Sequence, residues 1–194
     1  MPTKPSILVI NASRIGRQGN SQRLAEIAAR HLRRENHVEV VALIEQPGHI
    51  TNLLDRIARS DGLLILTGTH WDSWSSRLQE FLENATASEG TDVWMGKPAA
   101  VIVSEHSTGG KGVLSRLQGV LATFGALIPP MSGMVYSLAG QNSIETDSPG
   151  SSDVWCLDDI KVVCKNLSIA AKLKVKWTSW PVDRKNVEQV WVAS

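Results

Sequence analysis

Five short runs of apolar residues alternate along this 194-residue chain with segments of helical periodicity. The first run is SILVIN at residues 6–11, and the others are HVEVVALI, GLLILT, AAVIVS and the second half of GALIPPMSGMVYS. Strands that are apolar throughout are typical of a parallel sheet that is covered on both faces. The alternation therefore predicts an α/β fold with helices on both sides of a five-stranded parallel sheet.

The segments between these runs place apolar residues on one helix face. Leu24 and Leu32 belong to the first such stripe, and the last stripe extends over residues 157–171. A polar loop rich in Ser, Gly and Pro is expected before it, at residues 138–153. Cys156 and Cys164 are then predicted to share one helix. They would lie about 12 Å apart along its axis, which is too far for a disulfide.

No break in composition divides the chain, and its length fits a single domain over residues 1–194. We expect a core at about residues 6–173 and a C-terminal tail at residues 174–194. The tail carries Trp177, Trp180 and Trp191, which we expect to pack either against the body or against a neighbouring subunit.

Net charge, apolar run length and cysteine content limit the kinds of partner and the cellular compartment that we expect for this chain. A formal net charge of +1 argues against a nucleic-acid-binding protein, which normally carries a basic face. No apolar run is long enough to span a membrane. The N-terminal MPTKPS lacks the apolar region of a signal peptide, and two cysteines form no disulfide framework. We therefore expect a cytoplasmic protein.

Polar, glycine-containing loops follow the first, third and fourth strands, whereas the connection after the second strand is ordinary. Ligands of open parallel sheets bind beyond the carboxyl ends of the strands, where the strand order reverses. Three such loops at one edge suit a strand order of 2-1-3-4-5, with the reversal between strands one and three. The sequence thus predicts a flavodoxin-like, three-layer α/β/α sandwich.

The loop after the first strand, NASRIGRQGNS at residues 11–21, has the features of a phosphate site. Ser13, Asn20 and Ser21 offer donors, and the first N–H groups of the following helix lack intrahelical partners. The helix dipole favours an anion there, and either Arg14 or Arg17 adds positive charge. A simple turn would explain Ser21 alone, as the N-cap of that helix.

Two other phosphate-binding motifs fail on spacing. A dinucleotide fingerprint needs three glycines in the pattern G-x-G-x-x-G, and this loop offers only Gly16 and Gly19. A Walker loop needs glycine where the later EHSTGGKG has Glu105, and Ser or Thr where it has Gly112.

The loops after the third and fourth strands supply two further walls. We expect Trp71 to form an aromatic wall and Trp74 to pack under the next helix. Gly109 and Gly110 let the backbone approach a flat ligand closely. A phosphate pocket, an aromatic wall and a glycine wall describe a site for a phosphorylated planar heterocycle, and flavin mononucleotide (FMN) fits best.

At these loops the sequence resembles the NAD(P)H-dependent FMN reductase and quinone reductase family of flavodoxin-like proteins, over about residues 6–137. The resemblance rests on ASRIGRQGNSQRLA, on TGTHWDSWSSRLQEFLENA and on GKPAAVIVSEHSTGGKGVLSRLQGVLATFGALIPP. The chain departs from the family pattern at Gly68, where proline is usual, and at His70, where tyrosine is usual. It also has Ser76 in place of glycine and Gln79 in place of lysine.

The resemblance implies an enzyme in which FMN takes a hydride from NADPH or NADH and reduces a quinone, a flavin or a similar small acceptor by a ping-pong route. It also implies a homodimer or homotetramer. No catalytic side chain and no metal are expected, because the flavin carries the chemistry. The FMN-binding residues implied are Ser13, Arg14, Asn20, Ser21, Gln22, Thr67, Thr69, His70, Trp71, Asp72, Ser73, Ser104, Gly109 and Gly110.

Three alternatives stay open in part. His70 and His106 are candidate proton donors to the acceptor, although polar histidines at a cleft rim are commoner. A flavin-binding electron carrier, or a pseudo-enzyme without NAD(P)H turnover, would share the fold, but dedicated carriers tend to be acidic. A serine hydrolase using Ser73 or Ser104 is disfavoured because the chain has no G-x-S-x-G element.

Overall fold

The computed structural model describes residues 4–45 and 50–181 together with Asp183 and Val192. Five strands within these residues form one parallel sheet in the order β2-β1-β3-β4-β5, as the sequence predicts. The strands are β1 (Ser6–Asn11), β2 (His37–Ala42), β3 (Gly62–Gly68), β4 (Ala99–Glu105) and β5 (Gly133–Ser137). The flavodoxin-like strand order is therefore confirmed.

Helices cover both faces of this sheet. They are α1 (Asn20–Leu32), α2 (Ile50–Arg59), α3 (Ser76–Ala85), α4 (Gly110–Phe124), α5 (Leu138–Glu145) and α6 (Ile160–Ala170). Side chains of α1 and α6 pack with Ile7 and Val9 on one face, while those of α2, α3 and α4 pack with Leu8 and Ile10 on the other. The alternating sides of β1 thus belong to two cores, which is why the strand is apolar throughout.

Two sequence predictions in the last third of the chain are wrong. The segment predicted as a polar loop contains α5, whose first turn is capped by the Ser137 hydroxyl accepting from the Gly140 N–H at 3.3 Å. Cys156 and Cys164 do not share one helix, because α6 begins only at Ile160. The Cys156 N–H donates to Asp159 Oδ2 at 2.8 Å, which fixes a short 3₁₀ turn before α6.

The described part of the tail packs against the body, along the amino-terminal edge of the sheet. Lys174 pairs with Asp61 at 2.9 Å, just before β3, and the Trp177 ring lies against Gly96, just before β4. Trp180 donates to Glu89 at 3.3 Å. Trp191 lies outside the described residues, as does part of the connection after β2. Within the described chain, no helix combines the length and the apolar character needed to cross a membrane.

Candidate functional site

Hydrogen bonds join the polar loops at the carboxyl ends of β1, β3 and β4. The Ala12 N–H donates to the Leu66 carbonyl at 2.8 Å, and the Thr69 N–H donates to the Ser104 carbonyl at 2.8 Å. The Ser75 hydroxyl, from the loop after β3, donates to the Ala12 carbonyl. The three loops therefore form one continuous surface at the predicted reversal of strand order.

Asn11, the last residue of β1, organises the loop that follows it. Its side chain is fully buried, accepts from the Ser13 N–H at 2.9 Å, and donates to the Gly16 carbonyl at 3.0 Å. It also donates to Gln22 Oε1 at 2.8 Å, which ties the loop to α1. A single amide thus shapes the loop from both ends.

The amino terminus of α1 opens onto this loop without a side-chain cap. Gly19 occupies the N-cap position in an extended conformation, so Ser21 is the second helical residue and its predicted role as N-cap is wrong. A glycine offers no side-chain acceptor. Among the described residues, no side chain accepts from the N–H of Asn20 or Ser21.

The helices that follow the other two loops of this surface, α3 and α4, carry caps of their own. The Ser75 hydroxyl accepts from the Leu78 N–H at the start of α3 at 3.2 Å. Glu105 Oε2 accepts from the Gly110 N–H at the start of α4 at 2.5 Å, which places a carboxylate on that helix dipole. Of the helices that follow these three loops, only α1 therefore presents N–H groups that no described side chain caps, together with an uncompensated dipole.

The two arginines of the first loop differ in their partners. Arg17 forms a two-pronged ion pair with Glu45, with Nε to Oε1 at 2.6 Å and an amino nitrogen to Oε2 at 2.8 Å. This hydrogen bond and the charge of Glu45 raise the pKa of Arg17. Arg14 is exposed and forms no ion pair with any described residue. Arg14 is accordingly the guanidinium available for an anion.

The loop after β3 begins with a tight two-residue turn. The His70 N–H donates to the Ser73 carbonyl at 2.7 Å, and the Ser73 N–H returns a bond to the His70 carbonyl at 3.0 Å. The residues between them, Trp71 and Asp72, both have positive φ, at 49° and 56°. That is the geometry of a type I′ turn, which glycine and asparagine adopt most easily.

Glycines of the neighbouring strand and helix accommodate both sides of this turn. A Cβ on Gly68 would lie 3.2 Å from Nε2 of His70, so the ring occupies the space above that glycine. A Cβ on Gly109 would clash with the Asp72 carboxylate. Arg116 of α4 donates to the Asp72 carbonyl and fixes the turn from outside.

The residues predicted to bind FMN fall into two groups. Some are committed to internal bonds or buried. Thr67 is fully buried and accepts from the Ser75 N–H at 3.1 Å, Gln22 bonds Asn11 and Glu26, and the Gly110 N–H is taken by Glu105. The remainder line the loop surface or are partly exposed there: Arg14, Asn20, Thr69, His70, Trp71, Asp72, Ser73, Ser104 and Gly109. Ser13 and Ser21 belong to the first group, each less than a tenth exposed.

One polar atom at the centre of this surface lacks a partner. Oγ1 of Thr69 is buried and makes no hydrogen bond to any described residue. Its Cγ2 lies 3.3 Å from where a Cβ of Gly109 would be, so it sits where the loops after β3 and β4 meet. Buried hydroxyls ordinarily have a partner, so this atom suits a ligand that brings one.

Sequence reasoning missed three residues that shape the site. Asn11 could have been found from the local sequence, because a polar residue at the end of a buried apolar strand indicates a structural or functional role. Glu105 could also have been found locally, since it lies five residues before Gly110 and reaches that N–H. Arg116 could not, because its partner Asp72 is 44 residues away in the chain.

A sequence model of one protein family, described as NADPH-dependent FMN reductase, matches residues 5–139. These residues include every loop of the surface described above. A comparison with curated proteins finds no significant match.

Solved structures of similar fold include several flavoproteins. RosB, crystallised with bound 8-demethyl-8-formylriboflavin-5′-phosphate, is 17% identical with a TM-score of 0.69, covering 87% of this chain and 79% of its own. FerB from Paracoccus denitrificans, a flavoenzyme NAD(P)H:(acceptor) oxidoreductase, is 20% identical with a TM-score of 0.65. The match covers 87% of this chain and 97% of FerB. The apo form of the NADH:FMN oxidoreductase EmoB is 16% identical with a TM-score of 0.63. The match covers 86% of this chain and 89% of EmoB. At these identities the likeness establishes the fold.

Proposed function

This chain belongs to the NADPH-dependent FMN reductase family, and from that premise we propose that it is an FMN-dependent oxidoreductase that takes hydride from NADPH or NADH. The observation that carries the proposal is the uncapped start of α1 beside Arg14, within the residues that the family matches. The acceptor in this proposal is a quinone, a flavin or a similar small molecule, reduced by a ping-pong route.

The first loop fits the phosphate of FMN. A phosphate dianion at the start of α1 would receive the N–H groups of Asn20 and Ser21, which point away from the helix, and would gain from the helix dipole. Arg14 is free to pair with it, whereas Arg17 is held by Glu45. The start of α4 suits an anion poorly, because Glu105 already occupies it. These contacts favour the loop after β1 over the loop after β4 as the site of the phosphate.

The other two loops fit a flat ring. Thr69 Oγ1 offers an unpaired polar atom where the loops after β3 and β4 meet, and Gly109 lets the backbone come close. FMN supplies the two-electron chemistry when it is bound. The contribution of this chain is placement: Asn11 shapes the phosphate loop, while Arg116 and Gly109 hold the turn after β3.

His70 does not have the properties of a cationic proton donor. Partial burial, and secondarily the charge of Arg14, lower the pKa of His70 below its ordinary value of 6.5. The ring is therefore mostly neutral at pH 7. We accordingly assign no proton transfer to His70, and the reduced acceptor takes its proton from solvent in this proposal.

We also propose a homodimer or homotetramer in a reducing cytoplasm. An open groove of about 550 Å³ between α3 and α4 is lined by Trp74, Leu82, Gly119 and Phe124. The free thiols of Cys156 and Cys164 suit a reducing compartment.

The spectrum of the purified protein, incubated with excess FMN and desalted, tests the proposal. We expect a yellow protein that releases FMN on denaturation and that NADPH or NADH bleaches under anaerobic conditions. A protein that retains no flavin would refute the proposal. A bound FMN that stays oxidised with both donors would favour the electron-carrier alternative.

The two arginines provide a matched pair for the phosphate site. We expect Arg14→Ala to weaken the binding of FMN and to leave riboflavin, which lacks the phosphate, nearly unchanged. Loss of a hydrogen bond to a charged group costs about 1.5–3 kcal/mol, which corresponds to a weakening of roughly 10- to 150-fold. Arg17→Ala, on the same loop, should leave both ligands unchanged. Equal losses of FMN and riboflavin would contradict the assignment.

A further inference from the structure

We propose that Trp71 is the docking platform for a flat, electron-poor ring that approaches the flavin, that of the acceptor or of the oxidised nicotinamide, rather than a contact of the resident FMN. The inference rests on the proposed function and assigns a specificity-determining residue to it. It begins from the exposure of this side chain, which at 101% is that of a side chain in open solvent.

Exposure on this scale is unusual for a tryptophan. Indole is a large apolar surface, and its burial elsewhere in this chain is complete, as at Trp94. The other exposed indoles, Trp177 at 49% and Trp180 at 61%, still rest on Gly96 and Glu89. Trp71 alone among the described tryptophans is wholly free of the body, so both faces of its ring are available to a planar molecule.

The backbone beneath this indole is held in a costly conformation. Positive φ at a residue other than glycine costs about 1–2 kcal/mol, and here Trp71 and Asp72 adopt it in succession. Three contacts impose the conformation: the paired bonds of His70 and Ser73, the Arg116 bond to the Asp72 carbonyl, and the Asp72 carboxylate against Gly109. Strain maintained from three directions is typical of functional turns.

The position of the turn identifies the class of ligand. His70 lies over Gly68 at the end of β3, and Asp72 lies over Gly109 at the start of α4, so Trp71 stands at the outer rim of the surface proposed for the flavin ring. A reactant must reach that ring past the rim. Indole is electron-rich, and it stacks on flat, electron-poor rings such as quinones and oxidised nicotinamide.

The test uses the FMN-loaded protein with Trp71→Asn and Trp71→Phe. Asparagine tolerates positive φ, so the turn is retained while the ring is removed. Trp180→Asn, which removes an exposed indole from the opposite edge of the sheet, is the matched control. The dissociation constants of FMN, of NADP⁺ and of the quinone menadione on the oxidised protein are measured for each variant, together with the molecular mass in solution.

For Trp71→Asn we expect an unchanged FMN constant and a weakening of NADP⁺ or menadione by about 2- to 10-fold, the range of one aromatic stacking pair. Trp71→Phe should retain most of the affinity, and Trp180→Asn all of it. Whichever ligand weakens is the one that uses the platform. Unchanged binding of both ligands overturns the inference, as does a weakening of FMN itself, which would make Trp71 a cofactor contact. Loss of an oligomer would assign Trp71 to a second copy of the chain and also overturn it. If the wild type binds no FMN, the proposed function fails instead.

Discussion

Gly109→Ala tests the tight junction between the loops after β3 and β4. Gly109 precedes α4 with φ of 92°, in the left-handed region, where any other residue is strained by about 1–2 kcal/mol. A Cβ there would also displace the Asp72 carboxylate and crowd Thr69 Cγ2 at 3.3 Å. Overpacking of this kind typically costs about 1 kcal/mol or more.

The net effect on stability follows from these terms. Alanine restricts the unfolded chain and recovers about 0.5 kcal/mol, so Gly109→Ala should lower the free energy of unfolding by about 2 kcal/mol. For a chain of this size, that corresponds to a fall in Tm of about 4–8 °C. Asp72→Ala combined with Gly109→Ala should recover the part due to the displaced carboxylate, while the backbone strain remains.

Gly119→Ala is the control within the same helix. Gly119 lies inside α4, and a Cβ built there has no neighbour within 4 Å. Alanine is the better helix former by about 1 kcal/mol, so this variant should raise Tm by about 2–4 °C. Thermal unfolding of flavin-free protein, followed by circular dichroism, measures both variants. A Tm for Gly109→Ala that equals or exceeds that of the wild type would refute the reasoning.

Three further predictions concern separate parts of the molecule. Trp71→Asn should raise the Tm of flavin-free protein by about 2–4 °C, since it relieves about 1 kcal/mol of backbone strain and removes no packed contact; a lower Tm would contradict the strained turn. Asn11→Ala should lower the free energy of unfolding by about 2–4 kcal/mol in chemical denaturation, because the buried partners of the amide lose their bonds; a loss under about 1 kcal/mol would contradict its organising role. Lys165 and Lys172 lower the pKa of Glu35 to about 2, so its stabilising effect is full above the unfolded value of 4.5 and fades as the pH falls toward the folded value. Glu35→Gln should therefore lower Tm more at about pH 7 than at about pH 3, and an equal effect at both would count against the ion pairs.

The fold could be predicted because its determinants are local. The strands β1, β3 and β4 contain uninterrupted apolar runs, whereas Glu39 interrupts the edge strand β2, and the polar loops after β1, β3 and β4 indicate where the strand order reverses. The helix α5 was missed because its segment is rich in Ser and Gly, and it forms through the Ser137 cap and a hydrogen bond from Gln141 to the Trp155 carbonyl. The contact of Gln141 with Trp155 is tertiary, and the hydrophobic periodicity of the segment does not predict it.

The candidate site shows the same division between local and distant causes. In the sequence, three helices begin after polar loops, and the donors and arginines of the first loop favour the start of α1 for a phosphate. Their caps separate them: Ser75 serves α3, Glu105 serves α4, and Gly19 leaves α1 open. Those caps are near neighbours in the chain, so they too could have been predicted from the sequence and would have supported the choice of α1.

The turn at His70–Ser73 has the opposite character. Its central residues, Trp71 and Asp72, lack the Asn-Gly pattern of a type I′ turn, and propensity alone argues against the observed backbone. The conformation exists because Arg116 and Gly109, both distant in the sequence, hold Asp72 on its two sides. Places where local sequence reasoning fails in this way are expected to be functional or strained sites. The exposed ring of Trp71 is held in place by this strained backbone, although its exposure shows that it does not contribute to the packing of the fold.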